Sequence, residues 1–339
     1  MKEFIVKPYR FALLYGTLLV LFAGFVLLDT FVIPKGYGTA EERDDRPGRT
    51  AVQTDVAGTS STHTEEPSDL PSGDSSQDLE APENSGSGSE DFPSQPEIGE
   101  NYYRDENISI TLIETRHLNT DVYVAEVKIR SAEYLQTAFA EGTYGRNIKE
   151  KTSDIADRVG AILAINGDFY GFRNEGYVIR NGKLYREKKL SSSREDLVID
   201  GDGLMSWIRE GKVSAEDLWN DGAEQVLSFG PVLLDDSRVQ VTSADEIGKW
   251  DSNPRTAIGM IEPLHYLFVV SDGRTDRSAG LSLVQLAEFM ESWGCTFAYN
   301  LDGGGSATMV FQGRLINKPT TDGKSFGERK VSDIVYIGY

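Results

Sequence analysis

The sequence predicts an α+β domain of mostly antiparallel sheets with a few covering helices, carried behind one N-terminal transmembrane helix. Three observations point to this architecture. From residue 108 onward the apolar runs are short and joined by Asn-, Asp- and Gly-containing turns, the pattern of hairpin-linked strands. Few stretches carry helical periodicity, and 283–293 is the clearest. Residues 11–33 form an apolar run with Asp29 as its one charge, long enough to cross a bilayer as a helix.

Lys2, Lys7 and Arg10 precede that run. They predict a cytoplasmic N-terminus (1–10), with everything after Pro34 outside the cell membrane. No Ala-x-Ala cleavage pattern follows, so a single-pass, uncleaved signal-anchor is expected. Residues 34–100 are rich in Ser, Gly, Pro and acids, and from 41 to 100 sixteen acids face three arginines. Such a stretch buries too little apolar surface to offset its ordering entropy, so it reads as a disordered acidic linker. A single domain is expected over 101–339.

Within that domain, strands at 108–114 and 121–129 flank a turn at Leu118-Asn119-Thr120. A short helix at 153–159 leads to a buried strand at 161–165. Asn181-Gly182 joins strands at 177–180 and 183–186, and Gly201-Asp202-Gly203 joins 196–200 to 204–208. A helix at 215–220 precedes a strand at 225–229. Strands at 256–261 and 266–270 pair around Glu262-Pro263-Leu264. The helix at 283–293 is followed by strands at 296–301, 307–311 and 334–339.

Composition excludes several function classes. The 339 residues hold 34 Lys plus Arg and 54 Asp plus Glu, a net charge of −20, which argues against a nucleic-acid partner. Cys295 is the only cysteine, so an intrachain disulfide and a CxxC redox or zinc site are ruled out. His63, His117 and His265 are the only histidines, too few for a His-rich metal site. His265, beside a turn, and Cys295, on an apolar approach to a strand, read as structural.

Two segments share one grammar. AILAINGDFYG and TFAYNLDGGGSATMV both contain Ala-x-Asn-x-Asp-x-x-Gly after a buried strand. Asn166 and Asp168 in the first match Asn300 and Asp302 in the second, which predicts a pseudo-repeat whose two ends meet at one site. A lone Asp-Gly starts a turn; two matched copies at strand ends point to chemistry. Strand spacing places each Asn on the face of its Asp, where an amide orients a carboxylate or shares its ligand. Gly303, Gly304 and Gly305 permit close approach of backbone amides to an anion, and Ser306 adds a hydroxyl. No Lys follows them, so this is not a P-loop. Arg255 and Arg274, at the ends of two paired strands, are candidates to grip a phosphate. Phe169, Tyr170 and Phe172 around Asp168 are placed to stack on a sugar or to pack the core.

Five motifs in one order then carry a resemblance: 164–170 (AINGDFY), Phe229-Gly230-Pro231, Pro254-Arg255-Thr256-Ala257, Ser271-Asp272-Gly273-Arg274 and 300–306 (NLDGGGS). Together they resemble the phosphodiester glycosidase family over most of 101–339. That family includes an enzyme removing N-acetylglucosamine from mannose 6-phosphate, and bacterial proteins associated with exopolysaccharide. The tail Arg329-Lys330-Val331-Ser332-Asp333 is similar too, with Asp333 where the family pattern has Asn, which puts any role at 333 in doubt. The resemblance implies hydrolysis of a sugar-1-phosphodiester, in a cell-surface glycan, at the anomeric carbon. Asp168 and Asp302 are then the expected catalytic carboxylates. Asn166, Arg255, Arg274, Asn300, the three glycines and Ser306 are the expected substrate and phosphate contacts. No cofactor is assigned, and a divalent cation, Ca²⁺ or Mg²⁺, stays open. Two other readings stay open: a Ca²⁺- or Mg²⁺-dependent phosphodiesterase using the two Asn–Asp pairs, and a non-catalytic module binding cell-wall or exopolysaccharide polymer.

Overall fold

Alternating burial along the strands builds the core of this chain, whose computed structural model describes residues 8–36, 92–242 and 252–339. The chain runs α1 (Pro8–Phe31), β1 (Lys35–Gly36), β2 (Glu97–Ile98), β3 (Tyr102–Arg104), β4 (Ile108–His117), β5 (Thr120–Ile129), β6 (Leu135–Phe139), β7 (Gly145–Arg146), α2 (Thr152–Val159), β8 (Leu163–Asn166), β9 (Val178–Arg180) and β10 (Lys183–Arg186). It continues β11 (Glu195–Asp200), β12 (Met205–Arg209), α3 (Ala215–Asn220), β13 (Ala223–Leu227), β14 (Val232–Asp235), β15 (Arg238–Val239), β16 (Arg255–Glu262), β17 (His265–Ser271), α4 (Leu283–Ser292), β18 (Phe297–Asn300), β19 (Met309–Phe311), β20 (Arg314–Leu315) and β21 (Asp333–Ile337).

Three sheets surround one apolar centre. Their orders are β15-β14-β18-β16-β17-β5-β4-β3-β2, β10-β9-β13-β11-β12 and β20-β19-β8-β21-β6. The described pairings within them are antiparallel, as expected. Every second residue of a strand faces the centre: Ile258 and Met260, Tyr266 and Phe268, Leu163 and Ile165, Val335 and Ile337. The intervening positions face helices. Ala257, Leu267 and Ala298 pack on Leu286, Ala287 and Met290 of α4. Ala164, Val310 and Ile334 pack on Ile155 and Ala156 of α2. Ile179, Val198 and Val226 pack on Ala215, Leu218 and Trp219 of α3. Ser282 starts α4 with a reciprocal capping box to Gln285.

The turns follow from residues that tolerate left-handed backbone. Leu118 and Asn119 have φ of 44° and 59°, and the turn closes before Thr120, which belongs to β5. Strands β6 and β14, which lack a clean alternating pattern, are additions to the sequence-based elements. The 307–311 segment is shorter as a strand than expected, because residues 304–306 form a 3-10 turn.

Helix α1 contains an 18-residue window, Ala12–Asp29, with mean hydropathy 2.1, long and apolar enough to cross a membrane. Just beyond it, β1 pairs with β7 of the domain, and Asn147 Nδ2 donates to Ile33 O at 3.2 Å. The expected acidic linker lies mainly at 37–91, outside the described residues, as do Lys2 and Lys7. On its far side β2 already pairs with β3, so sheet pairing starts a few residues before 101.

Candidate active site

Strands β8 and β18 belong to different sheets but end side by side. The Asp302 N–H donates to Gly167 O at 3.2 Å, and Asn166 Nδ2 donates to Asp302 O. The two Asn-x-Asp ends therefore meet. Each strand stops at its Asn, so the period-two spacing does not extend to the Asp. Asn166 instead accepts from Thr256 Oγ1 at 2.7 Å and from the Thr308 N–H at 3.1 Å. Asn300 Nδ2 donates to Gly230 O at 2.8 Å. Both amides pin loops.

Of the two carboxylates expected to face substrate, Asp302 lines an open cleft and Asp168 stands behind it, with no exposed side-chain surface. The cleft holds about 380 Å³ and is lined by Lys149, Phe169, Phe172, Asp302, Ser306, Arg329 and Lys330. Phe169 and Phe172 stack with centroids 4.5 Å apart, giving an apolar wall. Tyr170 is fully buried against Tyr144 and belongs to the core. Arg329 Nη2 is 3.5 Å from Asp302 Oδ2, and the Arg329 guanidinium donates to Ser306 Oγ at 2.8 and 2.9 Å. Burial raises the Asp302 pKa, the Asp168 charge adds to the rise, and Ser306 and Arg329 only partly offset it.

Behind the cleft is a buried ionic cluster. Asp168 Oδ2 accepts the Ser228 N–H at 2.8 Å and faces Arg180 Nη2 at 3.3 Å. Asp333 Oδ2 accepts from Arg180 Nε and Nη2 at 2.9 and 2.8 Å, and its Oδ1 accepts the Asp168 N–H at 2.9 Å. Burial opposes charge on Asp168, but Arg180, Arg173 and the Ser228 N–H hold its carboxyl below the usual range. Burial pushes Asp333 up to about 7 against the pull of Arg180, with the Asp168 charge adding to the rise. Asp333 thus ties 333 to the Asp168 loop; an Asn there would keep an acceptor and lose the charge.

One amide of the glycine loop is engaged within the fold. The Gly304 N–H donates to Pro254 O at 2.8 Å instead of facing a ligand. A Cβ at Gly303 would lie 2.8 Å from Pro254 O, and one at Gly305 would lie 2.3 Å from Thr321 Oγ1. Close chain packing by itself demands glycine at 303 and 305. Arg274 lies against this loop but is tied to Asn253 Oδ1 and to Thr321 O at 2.7 Å. Arg255 shares the helix-facing side of β16 with Ala257, and its Nε donates to Leu281 O at 2.9 Å, so it does not join the cleft. Sequence reasoning missed Lys149, Arg180 and the Arg329-Lys330 doublet as site residues. The signals were a basic doublet in an acidic chain and an arginine at the end of an apolar strand, which requires a buried partner.

Of the oxygens in the two Asn–Asp pairs, Asp168 Oδ1 and Asn300 Oδ1 are buried without a hydrogen-bond partner among the described residues, while others are engaged. Asp168 already faces a guanidinium and Asn166 Oδ1 is taken twice. Among the described residues no three His, Cys, Asp or Glu side chains converge.

The sequence profile of the phosphodiester glycosidase family matches residues 159–338, which carry Asp168, Arg180, Asp302, Arg329 and Asp333. The chain belongs to this family. This phosphodiester glycosidase family member is 31% identical over 205 residues to the SPbeta prophage-derived uncharacterized protein YomE of Bacillus subtilis (strain 168), covering 58% of this chain and 31% of that one. It is 29% identical over 212 residues to the human N-acetylglucosamine-1-phosphodiester alpha-N-acetylglucosaminidase, covering 56% of this chain and 39% of that one. The matches thus span less than half the length of these relatives. The solved catalytic domain of the zebrafish N-acetylglucosamine-1-phosphodiester alpha-N-acetylglucosaminidase, auto-inhibited by its pro-peptide, aligns with a TM-score of 0.54 at 21% identity, over 68% of this chain and 83% of that one. A hypothetical protein from Synechocystis aligns with a TM-score of 0.53 at 15% identity, over 69% and 62%. Both share the fold of this phosphodiester glycosidase family member.

Proposed function

We propose that this chain is a membrane-anchored, extracytoplasmic hydrolase that breaks the C1–O bond of a sugar-1-phosphodiester in a cell-surface glycan. One observation carries the reading: among the described residues, Asp302 is the only carboxylate lining a cleft otherwise furnished with Lys149, Arg329, Lys330, Ser306 and two stacked phenylalanines. A phosphate monoester leaves readily once its charge is neutralised, so fixed cations matter more here than a strong acid. Lys149, Arg329 and Lys330 supply that neutralisation. Asp302 supports the oxocarbenium-like centre at C1 or bonds to it, as glycosidase carboxylates do. A water oxygen ends on C1, the C1–O electron pair leaves with the phosphate, and the water proton passes to solvent or the phosphate. Asp168 is a positioning residue: it locks the loop that holds Gly167 against Asp302. Helix α1 supplies the anchor, residues 1–10 remain cytoplasmic, and the acidic linker and the domain that begins near 101 lie outside.

The test uses full-length protein in detergent, a panel of sugar-1-phosphodiesters and ¹⁸O-water, read by mass spectrometry. Label in the free sugar, with turnover falling at least a thousandfold in Asp302→Asn, is the expected result. Label in the phosphate means P–O cleavage and overturns the reading. Polymer binding without turnover favours the non-catalytic module.

A further inference from the structure

A second cleft lies next to the first. It also holds about 380 Å³ and is lined by Arg173, Ser193, Arg194, Glu195, Phe229, Gly230 and Pro231. Phe169 connects the two: it walls the Asp302 cleft, and the guanidinium of Arg173, which lines the second cleft, lies 5.3 Å from its ring centroid. Two guanidiniums converge here on one acceptor. Arg173 Nη1 donates to Ser228 O at 2.7 Å, and Arg194 Nε and Nη2 donate to the same oxygen at 3.2 and 2.9 Å. The N–H of that same Ser228 holds Asp168.

Arg173 feels the charge of the buried Asp168, but that carboxylate pairs directly with Arg180. Among the described residues neither arginine forms an ion pair within 4 Å. Glu195, on the rim, is engaged by Arg209 and by the Val232 N–H. Asp196, the next carboxyl inward, is fully buried, and burial with the Glu210 charge pushes it up to about 9, so it is neutral at pH 7. Asp168 is shared with Arg180. Two half-buried cations that converge on one carbonyl with no ion pair within 4 Å repel each other and favour an anionic ligand.

We propose that the Arg173–Arg194 cleft is a second phosphate subsite, so that the substrate is a chain of repeating glycosyl phosphates bound across both clefts. This rests on the glycosidase reading of the first cleft. One phosphate sits with Lys149, Arg329 and Lys330 while its neighbour sits with Arg173 and Arg194, and the sugar between them passes the Phe169 edge. The enzyme then cuts within a polymer instead of trimming one capped sugar phosphate. Arg194 is the specificity residue to vary, because it touches neither Asp302 nor Asp168.

The experiment compares full-length wild type, Arg194→Gln and Arg194→Lys, in detergent, on a single glycosyl phosphodiester and on a synthetic oligomer of three glycosyl phosphates. An arginine–phosphate interaction is a charge-assisted, often bidentate hydrogen bond, so removing it is expected to raise KM for the oligomer about tenfold or more. On the single phosphodiester, kcat/KM is expected to stay within about twofold, and Arg194→Lys is expected to recover part of the oligomer affinity. Equal losses on both substrates, or no loss on either, overturn the proposal. Calorimetric titration with inorganic tripolyphosphate reads the subsite without turnover. A roughly tenfold weaker affinity in Arg194→Gln supports the subsite even if neither substrate is cleaved, in which case only the glycosidase reading falls. Unchanged affinity overturns the subsite. If Arg194→Gln does not fold, Ser193→Glu on the exposed rim places a negative charge in the same cleft and is expected to give the same split.

Discussion

At the scale of single residues, the site depends on how burial and neighbouring cations divide protons among carboxyl groups. Burial raises Asp302 while Arg329 pulls it back. An ionised Asp302 then sets the acid limb of the pH–rate profile above the ordinary aspartate value. Arg329→Gln removes the pull, so that limb is expected to move to higher pH. The same substitution takes one cation away from the bound phosphate, so kcat/KM is expected to fall by about ten- to a hundredfold. A pH–rate profile of both proteins checks this; an unmoved acid limb excludes Asp302 as the titrating group. Asp333 makes a prediction about stability. Its native pKa is raised to about 7, above its unfolded value, so its contribution is fully present at low pH and is lost as pH rises through 7. Asp333→Asn is expected to remove this fall, which is on the order of 1 kcal/mol per pH unit between about pH 4 and 7. Denaturant unfolding at pH 5 and pH 7.5 checks it: the wild type weakens more between the two than the variant, whose remaining fall comes from groups such as Asp196.

At the scale of elements, strand ends decide what the site contains. β8 and β18 stop at Asn166 and Asn300, whose amides hold neighbouring loops and leave the Asp two residues on free of the ladder. The central strands must also accept α4 closely. A Cβ at Gly259 of β16 would lie 2.6 Å from Met290 Cε, 2.7 Å from Cys295 Sγ and 3.1 Å from Phe297 O. Met290 can swing away, but the carbonyl and the buried Cys295 cannot. Gly259→Ala is therefore expected to cost about 1–3 kcal/mol of stability by overpacking. A denaturant midpoint unchanged from wild type would mean that α4 packs more loosely than described. The hairpin at Asn181-Gly182 and the helix at 283–292 were legible in the sequence, since turn chemistry and 3.6-residue periodicity are local. β6 and β14 were not: their places are set by edges offered by β21 and β18.

At the scale of the molecule, the stretch just after α1 is part of the domain surface. β1 pairs with β7, whose Gly145 approaches so closely that a Cβ there would lie 2.5 Å from Lys35 O. Lys35 also pairs with Asp29 of α1 at 2.7 Å. Residues 35–36 thus bring the domain to the end of α1. Gly145→Ala is expected to release β1 and to speed tryptic cleavage after Lys35 several-fold in full-length protein. Equal cleavage rates would show that β1 does not hold the domain.

The sequence by itself determined the sheet-rich class, the apolar N-terminal helix, most strands and the pair of Asn-x-Asp ends, because these follow from periodicity, turn residues and uninterrupted hydrophobicity. Only the tertiary structure decided that Asp302 faces the cleft while Asp168 is buried behind it, since both follow identical local patterns. It also gathered Arg180 and Asp333, 153 residues apart, around Asp168, and set Arg173 beside Arg194. Such partners are chosen by which strand ends abut across sheets, and burial then fixes which charges persist.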